Sequence, residues 1–156
     1  MRCYECNRVM KKKKGRHHYT ESGLRDVYLE GVTIYYCDCG EEMAGIPRVT
    51  ELHRCLARII VEKSPHLDGS EIRFLRKNLG LKSVDFAKML GVSKVTVSRW
   101  ETGAVKIDKS YDQMIRGLVQ SDQFRKLLAK MNTAKAKTAK SHRYVLDAQA
   151  LPACAT

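Results

Sequence analysis

The stretch GVSKVTVSRWETG, Gly91 to Gly103, decides how this chain is read. Its helical hydrophobic positions are Val92, Val97 and Trp100, too few for a helix buried along a wide stripe. Lys94, Val95, Thr96, Ser98 and Arg99 are left over. A narrow apolar seam under a mixed polar face belongs either to an ordinary surface helix or to one whose outer face touches a ligand, and the neighbouring residues separate the two. Just upstream, SVDFAKML (Ser83 to Leu90) sets Phe86, Ala87 and Leu90 on one helical face. Gly91 then offers the left-handed turn that a Cβ resists, and Val92 plugs the corner. Ser93 can cap the second helix by accepting a backbone N–H two or three residues on. Ala87 is small enough to let the helices approach. The pattern predicts two short helices at a steep angle, joined by a four-residue turn.

The segment LGLKSVDFAKMLGVSKVTVSRWETG, Leu79 to Gly103, resembles the helix-turn-helix of the Xre/Cro family of phage and bacterial repressors. In that family the helix after the turn lies in the major groove, so the resemblance implies that Lys94, Val95, Thr96 and Arg99 face the bases. Side-chain chemistry agrees: Arg99 can place two N–H groups on guanine O6 and N7, and Val95 can meet a thymine methyl. Trp100 turns inward. Ser93 and Ser98 complete the DNA-facing set, while Ser83, Lys94, Lys106 and Lys109 fall near phosphates, where they position without reading sequence. The resemblance also implies an ion pair between Arg76 and Glu101. Lys82 stands where the family has a Ser or Thr cap, which moves the expected cap to Ser83.

Charge points the same way. Among 156 residues, 29 Lys and Arg outnumber 17 Asp and Glu, and a surplus of +12 favours a polyanionic partner, nucleic acid before membrane. No run approaches the roughly 18 apolar residues that span a bilayer, and the start, MRCYEC, lacks the apolar core of a signal peptide. The expected location is cytoplasmic and nucleoid-associated. The histidines, His17, His18, His53, His66 and His142, form no constellation with a nucleophile, and nothing singles out a general base among Glu5, Glu41 and Glu42. An enzyme is not expected.

At 44% hydrophobic, the chain has the composition for one or two small domains with modest cores. Six cysteines in a chain without an export signal suggest metal rather than disulfides. Cys3-x-x-Cys6 and Cys37-x-Cys39, brought together by a small β-structure, can fill a tetrahedral zinc site. The second pair is one residue short of the usual knuckle, so His17 or His18 is an alternative fourth ligand. Cys55 and Cys154 stand alone; Cys55, in an apolar-periodic segment, reads as a small buried hydrophobe.

The fold class that follows is α+β. Residues 1–46 form a zinc-binding β-domain, with VYLEGVTIYYC (Val27 to Cys37) as strands around Gly31. Residues 47–66 form a linker helix on the period of Val49, Leu52, Leu56, Ile59 and Ile60, ended by Pro65. Residues 67–130 form a lambda-repressor-like domain of about five helices, punctuated by Gly80, Gly91 and Gly103. Residues 131–156, basic and poor in large apolar side chains, are expected to be disordered. Dimerisation is assigned to Met114, Ile115, Leu118, Val119, Phe124, Leu127 and Leu128.

With the helix-turn-helix downstream, MRCYEC to YYCDCGEE resembles the YgiT-type zinc domain of the MqsA family of antitoxins, over about residues 1 to 120. The resemblance implies Cys3, Cys6, Cys37 and Cys39 as ligands of a structural Zn2+, a zinc domain that holds a cognate toxin, and a homodimer that represses its own operon at a palindromic operator. Lys11 to Lys14, Arg16, His17 and His18 would repel a basic toxin; they read as a solvated loop, or else as a second phosphate contact.

Overall fold

The computed structural model describes residues 1–63 and 65–133. The segment from residue 134 on, including the greater part of the expected tail, with Cys154 and His142, lies outside the described residues. Three antiparallel strands come first, β1 (Lys11–His18), β2 (Tyr28–Tyr36) and β3 (Glu42–Gly45), in spatial order β1-β2-β3. Six helices follow: α1 (Val49–Glu62), α2 (Gly69–Asn78), α3 (Ser83–Leu90), α4 (Lys94–Thr102), α5 (Lys109–Gln120) and α6 (Asp122–Thr133).

The lysine run is not a loop. Lys11–Lys14 begin the edge strand β1, paired with Tyr36, Tyr35, Ile34 and Thr33 of β2. Lysine disfavours strand interiors, but at an exposed edge its charge keeps the open backbone from pairing with another chain. Nor do strands break around Gly31. Gly15 opposes Val32 and His17 opposes Leu29, so β2 carries one extra residue there, and Gly31 (φ 68°) absorbs it as a bulge within one continuous strand. The sheet's own core is small: Cys3, Met10 and Cys37, with Cys6 and Tyr35 against them.

The second core is larger. Ala57, Ile60 and Val61 of α1 join Ile72, Phe74, Leu75, Phe86, Ala87, Leu90, Val97, Trp100, Ile115 and Leu118 in one cluster. The buried side of α1 therefore runs through Ala57, Ile60 and Val61. Ile59 and Cys55, both assigned inward from the sequence, are exposed, because the partners of α1 approach from a slightly different direction than its most apolar stripe. The start of α2 is fixed by a capping box: Asp68 accepts from the Glu71 N–H while the Glu71 carboxylate accepts from the Asp68 N–H. Arg116 on α5 ties the α1–α2 connection down, donating to the carbonyls of Val61, Lys63 and Pro65 and to Asp112, whose other oxygen accepts the Leu67 N–H. Ile115 and Leu118, assigned to a dimer contact, are fully buried in this core and are not available to a second copy.

Candidate nucleic-acid interface and metal centre

The corner between α3 and α4 forms for local reasons. Gly91 adopts φ 70° and ends α3, its N–H donating to Lys88, while the Val92 N–H donates to Ala87. Ser93 Oγ accepts the Thr96 N–H at 3.0 Å and starts α4. At the head of α3 the cap position is Lys82, whose side chain makes no capping bond; Ser83 is the first helical residue and has not taken over that role.

Behind α4, Val97 is fully buried and Trp100 is 5% exposed, its indole tilted against Tyr111 at 5.1 Å. Glu101, also buried, accepts from Arg76 Nε at 2.6 Å and Nη2 at 3.1 Å and from Arg73 Nε at 3.4 Å. Arg76 is the expected partner of Glu101; Arg73, three residues earlier on the same helix face, joins it without having been expected. Two guanidiniums on one carboxylate lock the end of α4 to α2. What remains outside is Lys94, Val95, Ser98 and Arg99, all exposed or nearly so, with Ser93 and Thr96 at the leading end and Lys106 and Lys109 exposed just beyond. Val95 keeps 59% of its surface open to solvent. Ser83 is half-buried.

At the opposite end, Cys3, Cys6, Cys37 and Cys39 bring four sulfurs within 4.8 Å of one another. The first pair sits in a tight turn closed by the Cys3 N–H to the Arg8 carbonyl and the Asn7 N–H to the Cys3 carbonyl, with Asn7 left-handed at φ 57°. The short second pair turns through Gly40, φ 97°, whose N–H donates to the Cys37 carbonyl. Sulfur separations are 3.6 Å (Cys3–Cys39), 3.4 Å (Cys6–Cys37) and 3.5 Å (Cys6–Cys39). A tetrahedral zinc with bonds of about 2.3 Å sets sulfurs about 3.8 Å apart, so the donor set fits that ion with a small outward adjustment. The missing residue in Cys37-x-Cys39 does not keep its second sulfur away.

His17 and His18 are not part of this group. They lie at the far end of β1, where the His18 ring stacks on Tyr28 and approaches the Arg25 carbonyl, and His17 stands 3.8 Å from Glu21. The backbone N–H of Arg8, then its guanidinium and Cys37, lower the Cys6 thiol to about 6. For Cys39 the Glu41 N–H favours the thiolate, but the crowding of Cys37, Cys6 and Cys3 and burial outweigh it and push the thiol up to about 12. Four sulfurs this close thus divide charge unequally, and a divalent cation bound among them would let all four ionise. Arg8, two residues past Cys6, was also missed from sequence.

Fold and site together define a three-stranded sheet with four clustered cysteines followed by six helices that include a helix-turn-helix corner. The chain belongs to the MqsA family, described as the antitoxin component of a bacterial toxin-antitoxin system, whose pattern matches residues 1–132. Over 53 residues it is 43% identical to the uncharacterized HTH-type transcriptional regulator YiaG of Escherichia coli K12, covering 34% of this chain and 54% of that protein. The same figures hold for the regulators of that name from Escherichia coli O6:H1 and O157:H7. The chain spans about half the length of these curated relatives. No solved structure matches it. These names are those of antitoxins and regulators rather than of enzymes. Among the described residues no helix is long and apolar enough to cross a membrane.

Proposed function

We propose that the chain is a sequence-specific DNA-binding repressor, the antitoxin of a toxin-antitoxin pair that controls its own operon. In this reading α4 enters the major groove: Arg99 and Val95 read base edges, Lys94, Thr96 and Ser98 flank them, and Ser83, Ser93, Lys106 and Lys109 contact phosphate. The observation that carries it is the division of α4 into an exposed Lys94-Val95-Ser98-Arg99 surface and a sealed back formed by Val97, Trp100 and Glu101. Residues 1–46 are proposed as a module held together by structural Zn2+ on the four cysteines, residues 47–66 as a connecting helix, and residues 67–130 as the DNA-binding domain. The proposed location is the cytoplasm, at the nucleoid.

A two-fold dimer on a palindromic operator completes the proposal. With Ile115 and Leu118 committed inward, its contact falls to α6, where Leu127 is 53% exposed and Phe124 and Leu128 are partly covered. Footprinting on the DNA upstream of its own gene tests the reading. Protection of two half-sites about one helical turn apart is expected; uniform protection at every concentration that binds would remove sequence reading from the protein. A toxin held by the amino-terminal module remains part of the family reading, and purification with the neighbouring gene product tests it: a 1:1 complex supports it, and two separate proteins would end it.

A further inference from the structure

The β1–β2 connection has a placement that neither site explains. Residues 19–27 leave the sheet and dock on the helices. Leu24, 8% exposed, enters the same cluster as Phe74 and Trp100, and Val27 packs against it. Tyr19 is buried with its hydroxyl 2.8 Å from His53 Nε2 on α1, and the His53 ring stands edge-on to Phe74 of α2, centroids 5.4 Å apart. The connection makes its own hydrogen bonds. The Tyr19 N–H donates to the Val27 carbonyl, the Gly23 N–H to that of Thr20, and Ser22 Oγ donates to the Tyr19 carbonyl while accepting the Leu24 N–H.

On its outer side, Gly23 and Arg25 line a cleft with Arg73, Glu101, Thr102 and Gly103, at the last turn of α4. The head of α2 presses on that same turn: a Cβ on Gly69 would stand 2.6 Å from the Trp100 carbonyl oxygen and 2.7 Å from that of Glu101. At Gly69, α2 and α4 therefore meet with almost no free space, and close-packed interiors transmit a displacement of one helix to the other rather than absorb it.

We propose that Leu24 and Tyr19 are positioning residues for α4: the connection wedges α2 against the last turn of α4, so the order of the cysteine-cornered sheet sets the angle at which Lys94, Val95 and Arg99 are presented. The inference rests on the DNA-reading role given to α4 above. Because coupling between two sites is reciprocal, metal binding in the sheet and DNA binding by α4 strengthen each other.

The test uses the full zinc-loaded chain, a duplex from the region upstream of its own gene, and the emission of Trp100, the single tryptophan of the chain. In the unaltered protein, chelation is expected to shift Trp100 emission and to weaken specific binding by about fivefold or more, while the duplex slows metal loss to the chelator. Leu24→Ala should shrink these effects to about twofold or less, with helical circular dichroism retained. Tyr19→Phe, which removes only the hydroxyl contact to His53, should give a smaller loss of coupling in the same direction. The proposal is overturned if metal removal melts the sheet while emission and affinity stay put, or if both variants respond to chelation as the unaltered protein does. The emission readout needs no DNA. A coupled emission change in a protein that ignores the duplex would sink the DNA-reading role and leave the positioning role standing.

Discussion

At position 99 a guanidinium stands clear of the fold, one residue before an indole that is sealed inside it. That contrast makes Arg99 the sharpest place to separate reading from mere attraction. Arg99→Ala should cost about 1–3 kcal/mol at the specific operator, because the bidentate hydrogen bonds to a base disappear, and leave non-specific affinity nearly unchanged. Equal losses on operator and random duplex, measured by anisotropy at one salt concentration, would make Arg99 a phosphate contact instead. Asp112 supports a different kind of prediction. Burial works against its charge, but hydrogen bonds from Arg116 and the Leu67 N–H, with the nearby positive charge of Arg116, hold its carboxyl below the usual range. A carboxyl lowered in the folded state adds stability that is complete above its unfolded value, about 3.9, and is lost as pH falls through that value towards the folded one. Asp112→Asn should thus lower stability by about 1–3 kcal/mol near neutrality, since Arg116 loses its ionic partner. The gap in Tm between the two proteins should narrow as pH drops below about 4. A gap that stays constant to pH 3 would show that the charge of Asp112 contributes nothing.

Elements differ in how far their residues announce them. The α3–α4 corner was legible because everything that makes it is local: Gly91 for the turn, Ser93 for the cap, and Phe86, Ala87, Leu90, Val97 and Trp100 for the seam. The four-cysteine group was legible in its members, although the short Cys37-x-Cys39 spacing left the histidines open until the sulfurs were seen together. Other features were set by distant partners. Nothing within KKKK says that it pairs with TIYY ahead of a bulge at Gly31, and no period within α1 says that its covered side will run through Ala57 and Val61 and leave Ile59 in water. The seven apolar residues assigned to a dimer could not be sorted into interior and surface without knowing where α5 packs. The sheet carries the prediction at this scale. Its own apolar cluster of five residues is small for some 46 residues, so a metal held by the four cysteines would supply folding energy. Chelation should abolish the amide dispersion of residues 1–46 in NMR spectra and leave α2–α5 protected. Unchanged amino-terminal spectra after complete zinc removal would mean that the strands and the docked Leu24 suffice.

At the scale of the whole molecule, the charge of +12 and the direction of α4 describe one partner in two ways. Long-range attraction brings a polyanion close whatever its sequence, and in the proposed reading the exposed residues of α4 decide whether it stays. The two contributions separate in salt, since each cation that contacts a phosphate releases a counterion and adds close to one unit to the slope of log K against log salt. Part of the surplus lies past the described helices: between Thr133 and Thr156 the sequence holds Lys135, Lys137, Lys140 and Arg143 against Asp147. If that segment runs along the backbone of the bound duplex, a chain ending at Asn132 should bind with a slope shallower by about one unit for each phosphate it no longer neutralises. The preference for operator over random duplex should stay the same, because no base is read there. An unchanged slope would leave those four cations in solvent and assign the salt dependence to Lys94, Lys106, Lys109 and the rest of the folded chain; a changed preference would mean that the segment reads sequence itself.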